Sequence, residues 1–299
     1  MNKILSNKKI IILFMLPATL IFTFIVIMPI FTSGYYSTLD WDGIGNGKAI
    51  GIDNYVALLI NNESDFYKPI LNSLLLALFS VTIQLPIAFF FARLLTTGVT
   101  GESIFRTIYF IPVIVSTVVI GNMWKKIYNP QYGVLNNLLE ACGLDNLTNV
   151  WLGDPKIALM SVFVPLLWQI VGYHILLFYA GIKTIPPELI EPAEIDGASS
   201  WKITKSIVVP YVLPVIEICV ILAVIGSLKT FDLIYILTGG GPLHSTEVPT
   251  TIMFNTIFHR MDYGYGSSIA IFIIAECLAL TVVIRGLFNK LNNYYFGDK

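Results

Sequence analysis

Long apolar runs separated by short polar joints organise this chain, and their lengths set the first expectation. A helix needs roughly 20 predominantly apolar residues to cross a bilayer. Six segments supply them: 10–34, 69–95, 104–124, 157–182, 207–228 and 267–285. The first run carries no charged residue from Ile10 to Leu39, the second none before Arg93, and the fourth none at all. Pro17, Pro29, Pro86, Pro112 and Pro165 interrupt the runs, and neighbouring helices can re-satisfy the backbone groups such prolines free. The pattern predicts an all-α polytopic membrane protein with six transmembrane helices, forming a single transmembrane domain over residues 1–299. The basic leader before Ile10 imitates a signal peptide. The apolar stretch behind it is far longer than an h-region of about 7–15 residues, so it reads as an uncleaved first span.

Composition agrees: 56% of residues are hydrophobic and 12% charged, against roughly 25% charged in soluble domains. Such a chain cannot coat itself with a solvated surface. Its net charge of −1 offers no basic face to nucleic acid. Cys142, Cys219 and Cys277 form no CxxC, and His174, His244 and His259 are scattered without metal-ligand spacing, so no metal site is expected. The stretch TGGGPLHST lacks the Lys of a phosphate-binding loop, and there is no GxSxG elbow. No catalytic residue is assigned. If transport is driven, the energy comes from a partner or an ion gradient.

Six spans put both termini on one side. Eleven Lys and Arg then share that side, including Lys3, Lys8, Lys9, Lys183, Lys202, Lys205 and Lys299, against seven on the other. The positive-inside bias makes the shared side cytoplasmic. Segments 35–68, 125–156 and 229–266 then face outward. Their WDGIGNG, YNPQYG and TGGGPLHS stretches predict turns and short surface helices, with Trp41, Tyr128 and Trp151 as interfacial anchors. Glu217 and Glu276 lie within spans, where a charge costs roughly 2.5–3.5 kcal/mol on insertion scales. Glu217 is read as reaching the headgroups, Glu276 as a buried hydrogen-bonding acid or a coupling site.

The cytoplasmic loop 183–206 stands out. Four carboxylates, Glu188, Glu191, Glu194 and Asp196, precede Gly197, and Lys202 and Lys205 follow it. Pro187 suits a first helical position, and the acidic residues suit the positive end of a helix. Leu189, Ile190 and Ala193 form an apolar face, Gly197 permits a sharp turn, and Trp201, Ile203 and Ile207 start a second amphipathic piece. A helix–turn–helix with a mixed acidic and apolar surface suits a protein partner.

This loop resembles the EAA motif of ABC-transporter permease subunits: Glu191-Pro192-Ala193, three residues, Gly197, nine residues, then Ile207-Val208-Val209-Pro210. GIDNYVALL, WKKIYNPQYGVLNNLL, LWQIVGYHILLFYAGI, FDLIYILTGGGP and DYGYGSSIAI extend the likeness over nearly the whole chain, toward the carbohydrate-importer branch. Pro192 replaces the usual second Ala and Val209 a Leu. A proline is tolerated only in a first turn, so the docking helix is expected to begin near Glu191 or to bend there. The resemblance implies a sugar importer, with an oligosaccharide as substrate and a polyol or glycerol phosphate as runner-up. It implies a second homologous permease, two copies of a cytoplasmic ATPase that hold ATP and Mg, and an extracellular solute-binding protein. The bacterial cytoplasmic membrane is the implied location, with membrane lipid around the spans. Glu191, Pro192, Ala193, Asp196, Gly197 and Trp201 would couple to the ATPase, with Glu191 meeting a basic group and Ala193 entering its groove. Sugar sites combine aromatic faces with neutral hydrogen-bonding groups, which makes Asn122, Trp168, Gln169, Tyr173 and Ser227 the pathway candidates. A different class, an ion-coupled secondary transporter, would use Glu217 or Glu276.

Overall fold

The computed structural model describes residues 8–62 and 65–297. Lys3 and Lys299, counted above for orientation, lie outside these residues. The chain divides into two compact units, one comprising the residues up to Phe66 with Ile252–Ile274 and the other Tyr67–Thr251 with the residues from Ala275 onward.

In the first unit, α1 (Ile10–Tyr36) is an apolar helix long enough to span a membrane, and none of its apolar window is buried within the chain. A hairpin follows, β1 (Leu39–Asp40) pairing antiparallel with β2 (Lys48–Ala49) across the WDGIGNG turn. Trp41 Nε1 donates to the Gly45 carbonyl at 3.1 Å, and the Trp41 carbonyl accepts from the Tyr263 and Gly264 amides. Asn54 of α2 (Asp53–Leu59) donates to the Ser37 and Leu39 carbonyls, each at 2.9 Å, fixing the chain where it leaves α1.

The second unit contains α3 (Tyr67–Leu95), α4 (Glu102–Ile114), α5 (Thr117–Ile127), α6 (Val134–Ala141), α7 (Ala158–Lys183), α8 (Pro187–Ile195), α9 (Ser200–Ile203), α10 (Leu213–Leu228) and α11 (Asp232–Leu237). Two later helices, α12 (Pro249–Phe258) and α13 (Tyr263–Phe296), begin in one unit and end in the other. Among the described residues five helices are long and apolar enough to cross a membrane, or six if one bent pair counts as a single span. That pair corrects the expected continuous span at 104–124: α4 and α5 meet at 95°. Val115 and Ser116 are extended there, with ψ of 138° and 132°. The local sequence Ile114-Val-Ser-Thr-Val-Val119 is β-branched nearly throughout and has Ser and Thr where a helix can restart, which weakens helix continuation.

The fifth span is also corrected. It starts at Leu213 rather than Ile207, because Val212 leaves the helical region and Pro214 has no N–H to bond the Pro210 carbonyl. The sixth is longer than expected. At 1.5 Å per residue the 34 residues of α13 extend about 51 Å, well beyond a hydrocarbon core of about 30 Å.

The prolines show how the spans absorb a missing donor. Three π turns, Thr23–Ile27, Ser80–Gln84 and Thr204–Val208, each end one residue short of an X-Pro pair: Met28-Pro29, Leu85-Pro86 and Val209-Pro210. In each, the amide before the proline reaches back five residues, to Thr23, Ser80 or Thr204. The wider turn makes room for the ring, which would otherwise press on the carbonyl four residues back. In α3 this widening falls in mid-span and turns Ser80 and Gln84 inward, both buried.

Tyr128 corrects another expectation. It is 4% exposed, not an interfacial anchor, and its ring lies 5.2 Å from Trp124 and 6.1 Å from Trp151. Burial pushes its phenol pKa up. Trp151 is held instead by a hydrogen bond from Nε1 to Asn136 Oδ1 at 2.7 Å.

Candidate functional site

The loop from Thr184 to Val212 is built on the end of the bundle. Pro186 is extended, Pro187 occupies the first position of α8, and Glu188 sits in its first turn. The helix therefore begins four residues before Glu191, and Pro192 lies inside it. The expected start near Glu191 is thus corrected. The bond that Pro192 cannot make is to the carbonyl of Glu188, an exposed residue, so water can donate to that carbonyl in place of the missing N–H.

The C-terminal end of α8 is closed by a Schellman cap. Gly197 has φ +73°, its amide donates to the Glu194 carbonyl at 3.0 Å, and the Ala198 amide donates to the Ala193 carbonyl at 2.9 Å. This pair of bonds requires a left-handed residue at the glycine position. Ser199 then caps α9, its Oγ accepting from the Lys202 amide at 3.3 Å. Both helices are anchored from below. Ile190, Ala193 and Ala198 are half-buried against a cluster that includes Ile182, Ile185, Ile203, Val208 and Val212. Arg93 Nε donates to Thr204 Oγ1 at 3.2 Å, and the Tyr211 hydroxyl to the Thr184 carbonyl at 3.3 Å.

What remains outside is a surface with two chemistries. Glu188, Glu191, Glu194 and Asp196 are exposed, and among the described residues none of them is ion-paired. Beside them are Ile195 at 85% exposure, Trp201 at 74% and Leu189 at 45%. The apolar face read from the sequence is therefore divided: Ile190 and Ala193 serve the chain's own core, and Leu189 stays outside. Next to the loop, the Tyr179 hydroxyl donates to the Glu102 carboxylate. That carboxylate lies 3.7 Å from Arg106 Nε and 3.8 Å from Lys183 Nζ.

The five pathway candidates do not converge in this chain. Asn122 is exposed and donates back to the Val118 carbonyl at 2.9 Å. Trp168 and Tyr173 are each a little over one-third exposed; Trp168 lies edge-on to Trp124 at 6.1 Å, and Tyr173 sits beside the His174 ring. Gln169 donates to Thr117 Oγ1 at 3.1 Å and lines a cavity of about 220 Å³ with Lys229, Thr230 and Asp232. Ser227 is interior, its Oγ 3.0 Å from Ser80 Oγ. It shares a second cavity, of about 50 Å³, with Ser80, Gln84 and His174. Gln84 Nε2 lies 3.2 Å from His174 Nδ1. Sequence reading passed over Ser80, Gln84 and His174. The available signal was a pair of polar residues four apart in a run without charges, just before a proline.

Of the two intramembrane acids, Glu217 lies 3.9 Å from Arg285 Nε, a pairing between α10 and α13. Glu276 has one carboxylate oxygen buried without a partner among the described residues.

Fold and loop together define a polytopic helical membrane protein that carries a rigidly capped, acidic helix between its fourth and fifth spans. Residues 5–293 match the family described as the binding-protein-dependent transport system inner membrane component, and the chain belongs to that family. A probable ABC transporter permease of Bacillus subtilis, YurN, is 37% identical over 286 residues, covering 93% of this chain and 95% of that protein. The multiple sugar-binding transport system permease MsmF of Streptococcus mutans is 34% identical over 244 residues, covering 81% and 82%. Among solved structures, a bacterial alginate ABC transporter, crystallised with its alginate pentasaccharide-bound periplasmic protein, superposes with a TM-score of 0.83. It does so at 21% identity, over 97% of each chain. The chain is an ABC-transporter permease, and the ion-coupled alternative is set aside.

Proposed function

We propose that this permease forms half of the translocation pathway of a sugar importer, with an oligosaccharide as its substrate class, and that α8 is its coupling element. The observation that carries the coupling reading is the loop's construction. Its inner face is fixed to the bundle by Ile190, Ala193 and Ile203, while its outer face leaves four carboxylates, Ile195 and Trp201 exposed and without partners among the described residues. An element so held transmits a push rather than absorbing it, the rigid-body coupling of a transporter that alternates between states.

The partner that fits is a cytoplasmic ATPase with a basic and apolar groove, present in two copies and holding ATP and Mg. Glu191 pairs with a cation of that groove, Leu189, Ile195 and Trp201 fill its apolar part, and Gly197 sets the turn. Ala193 acts from beneath, as a support for the helix. In this reading the loop and both termini are cytoplasmic, the chain has no active site of its own, and a second homologous permease completes the pathway. An extracellular solute-binding protein delivers the sugar to the outer segments. Asn122, Trp168 and Tyr173, exposed on this chain, are candidates for the wall facing the second permease. The family's dependence on binding proteins and MsmF's sugar-transport name support sugar over a polyol or glycerol phosphate. Uptake of labelled oligosaccharide into vesicles holding the complete transporter tests this. ATP-dependent, vanadate-sensitive uptake is expected, and uptake driven by an ion gradient without ATP would overturn it.

A further inference from the structure

We propose that the cavity lined by α3, α7 and α10 is a hydration site, holding ordered water that links His174 to the hydroxyl pair Ser80–Ser227. His174 lines this cavity, is 2% exposed, and has only one of its two ring nitrogens engaged. Its Nε2 is shut off from solvent and finds no hydrogen-bond partner among the described residues. Buried polar atoms are almost always satisfied by protein or by ordered water, and the cavity supplies the room. Its volume of about 50 Å³ exceeds the roughly 10–15 Å³ needed to hold a water.

The protons give the chain of hydrogen bonds a direction. The Ser227 hydroxyl donates to the Ala223 carbonyl at 2.9 Å, so its oxygen accepts from Ser80. Ser80 Oγ thereby keeps free lone pairs. The partner that Nε2 lacks is one water can supply in either tautomer, accepting from Nε2 when it carries the imidazole proton and donating to it when Nδ1 does. A water bonded to Nε2 that donates, directly or through a second water, toward Ser80 Oγ satisfies both ends. Thr230 also lines the cavity and offers a further polar group. Water needs two to four such partners to be held.

The site lies beside the π turn of α3, where one helix makes side-chain bonds to two others: Ser80 to α10 and Gln84 to α7. A water-bridged junction lets these three spans shift against one another without stranding a buried polar group, because the water re-forms bonds that fixed side chains would lose. The larger cavity beside Gln169 shares Leu166, Ile170 and Thr230 with this one, so a single layer of side chains separates them.

The test is the structure of the assembled transporter in lipid, at a resolution that reveals ordered water. Density at about 2.7–3.2 Å from His174 Nε2, within the cavity, is the expected result. A dry cavity, or Nε2 bonded directly to a protein atom, overturns the proposal. A second measurement uses variants. No direct hydrogen bond joins His174 to Ser80 among the described residues, so a bridging water couples His174→Phe to Ser80→Ala. The loss of thermal stability caused by Ser80→Ala is expected to be at least about threefold smaller, as a folded-to-unfolded ratio, in the His174→Phe background. Full additivity of the two substitutions would contradict the bridge.

Discussion

Gly197 offers a graded test of the proposed coupling loop. Its φ of +73° lies in the left-handed region, and a Cβ placed there would meet no atom within 4 Å. Substitution by Ala therefore adds no clash, and its effect is the backbone term alone. An L residue in this conformation costs roughly 1–2 kcal/mol, which corresponds to roughly a 5–30-fold change in a two-state ratio. Because Gly197 holds the cap that closes α8, this free energy opens the cap rather than the bundle. Asn tolerates the left-handed region better than Ala, so Gly197→Asn lies between wild type and Gly197→Ala. Gly197→Pro goes furthest, since it fixes φ near −65° and deletes the amide that bonds the Glu194 carbonyl at 3.0 Å. Hydrogen–deuterium exchange of the peptide spanning Glu188–Lys202, in the full transporter, reads the opening. The Ala198 amide, bonded to Ala193 in the closed cap, is expected to exchange about 5–30-fold faster in Gly197→Ala. Exchange unchanged in Gly197→Ala, or faster in Gly197→Asn than in Gly197→Ala, would refute the cap as the source of the loop's stiffness.

Three further substitutions probe the support beneath the loop. Ile203 is 3% exposed at the base of α9, so Ile203→Ala should lower stability by about 2–5 kcal/mol, read as a fall in the thermal unfolding midpoint of the detergent-purified complex. Gly172 lies where α7 crosses α4, and a Cβ there would sit 1.9 Å from the Tyr109 carbonyl oxygen. Gly172→Ala should force the helices apart, costing at least the 1–3 kcal/mol typical of overpacking, and should sharply reduce the yield of folded protein. Glu102→Gln should be nearly silent in stability, under about 1 kcal/mol, because its ion pairs to Arg106 and Lys183 are long and partly solvated. A fall in midpoint comparable to that of Ile203→Ala would show the cluster to be structural.

Much of this architecture is legible in the residues. Apolar run length located the spans, because a bilayer imposes a length and forbids unpaired backbone. The acidic block, the glycine and the flanking prolines located α8 and its turn, because each carries a local backbone constraint. What escaped was set by tertiary contact or by backbone detail. The 95° break at Val115–Ser116 lies in an apolar run that hydropathy reads as continuous. Pro192 read as marking a helix start near Glu191 or a bend there, because an interior proline is disfavoured; its one lost bond falls on an exposed residue's carbonyl, and the helix starts earlier, at Pro187, and runs through it. Ala193 has the chemistry of a groove-filling residue, and only packing reveals that it faces its own bundle. His174, isolated in sequence, meets Gln84 from 90 residues away. No local pattern encodes that meeting.

The central claim is that α8 carries force between ATP hydrolysis and the spans. The most direct measurement is the ratio of sugar taken up to ATP hydrolysed, in proteoliposomes holding the complete transporter, for wild type, Glu191→Ala and Gly197→Pro. The account predicts that both variants insert and assemble, that hydrolysis continues, and that the ratio collapses. A wild-type ratio in both variants would contradict it.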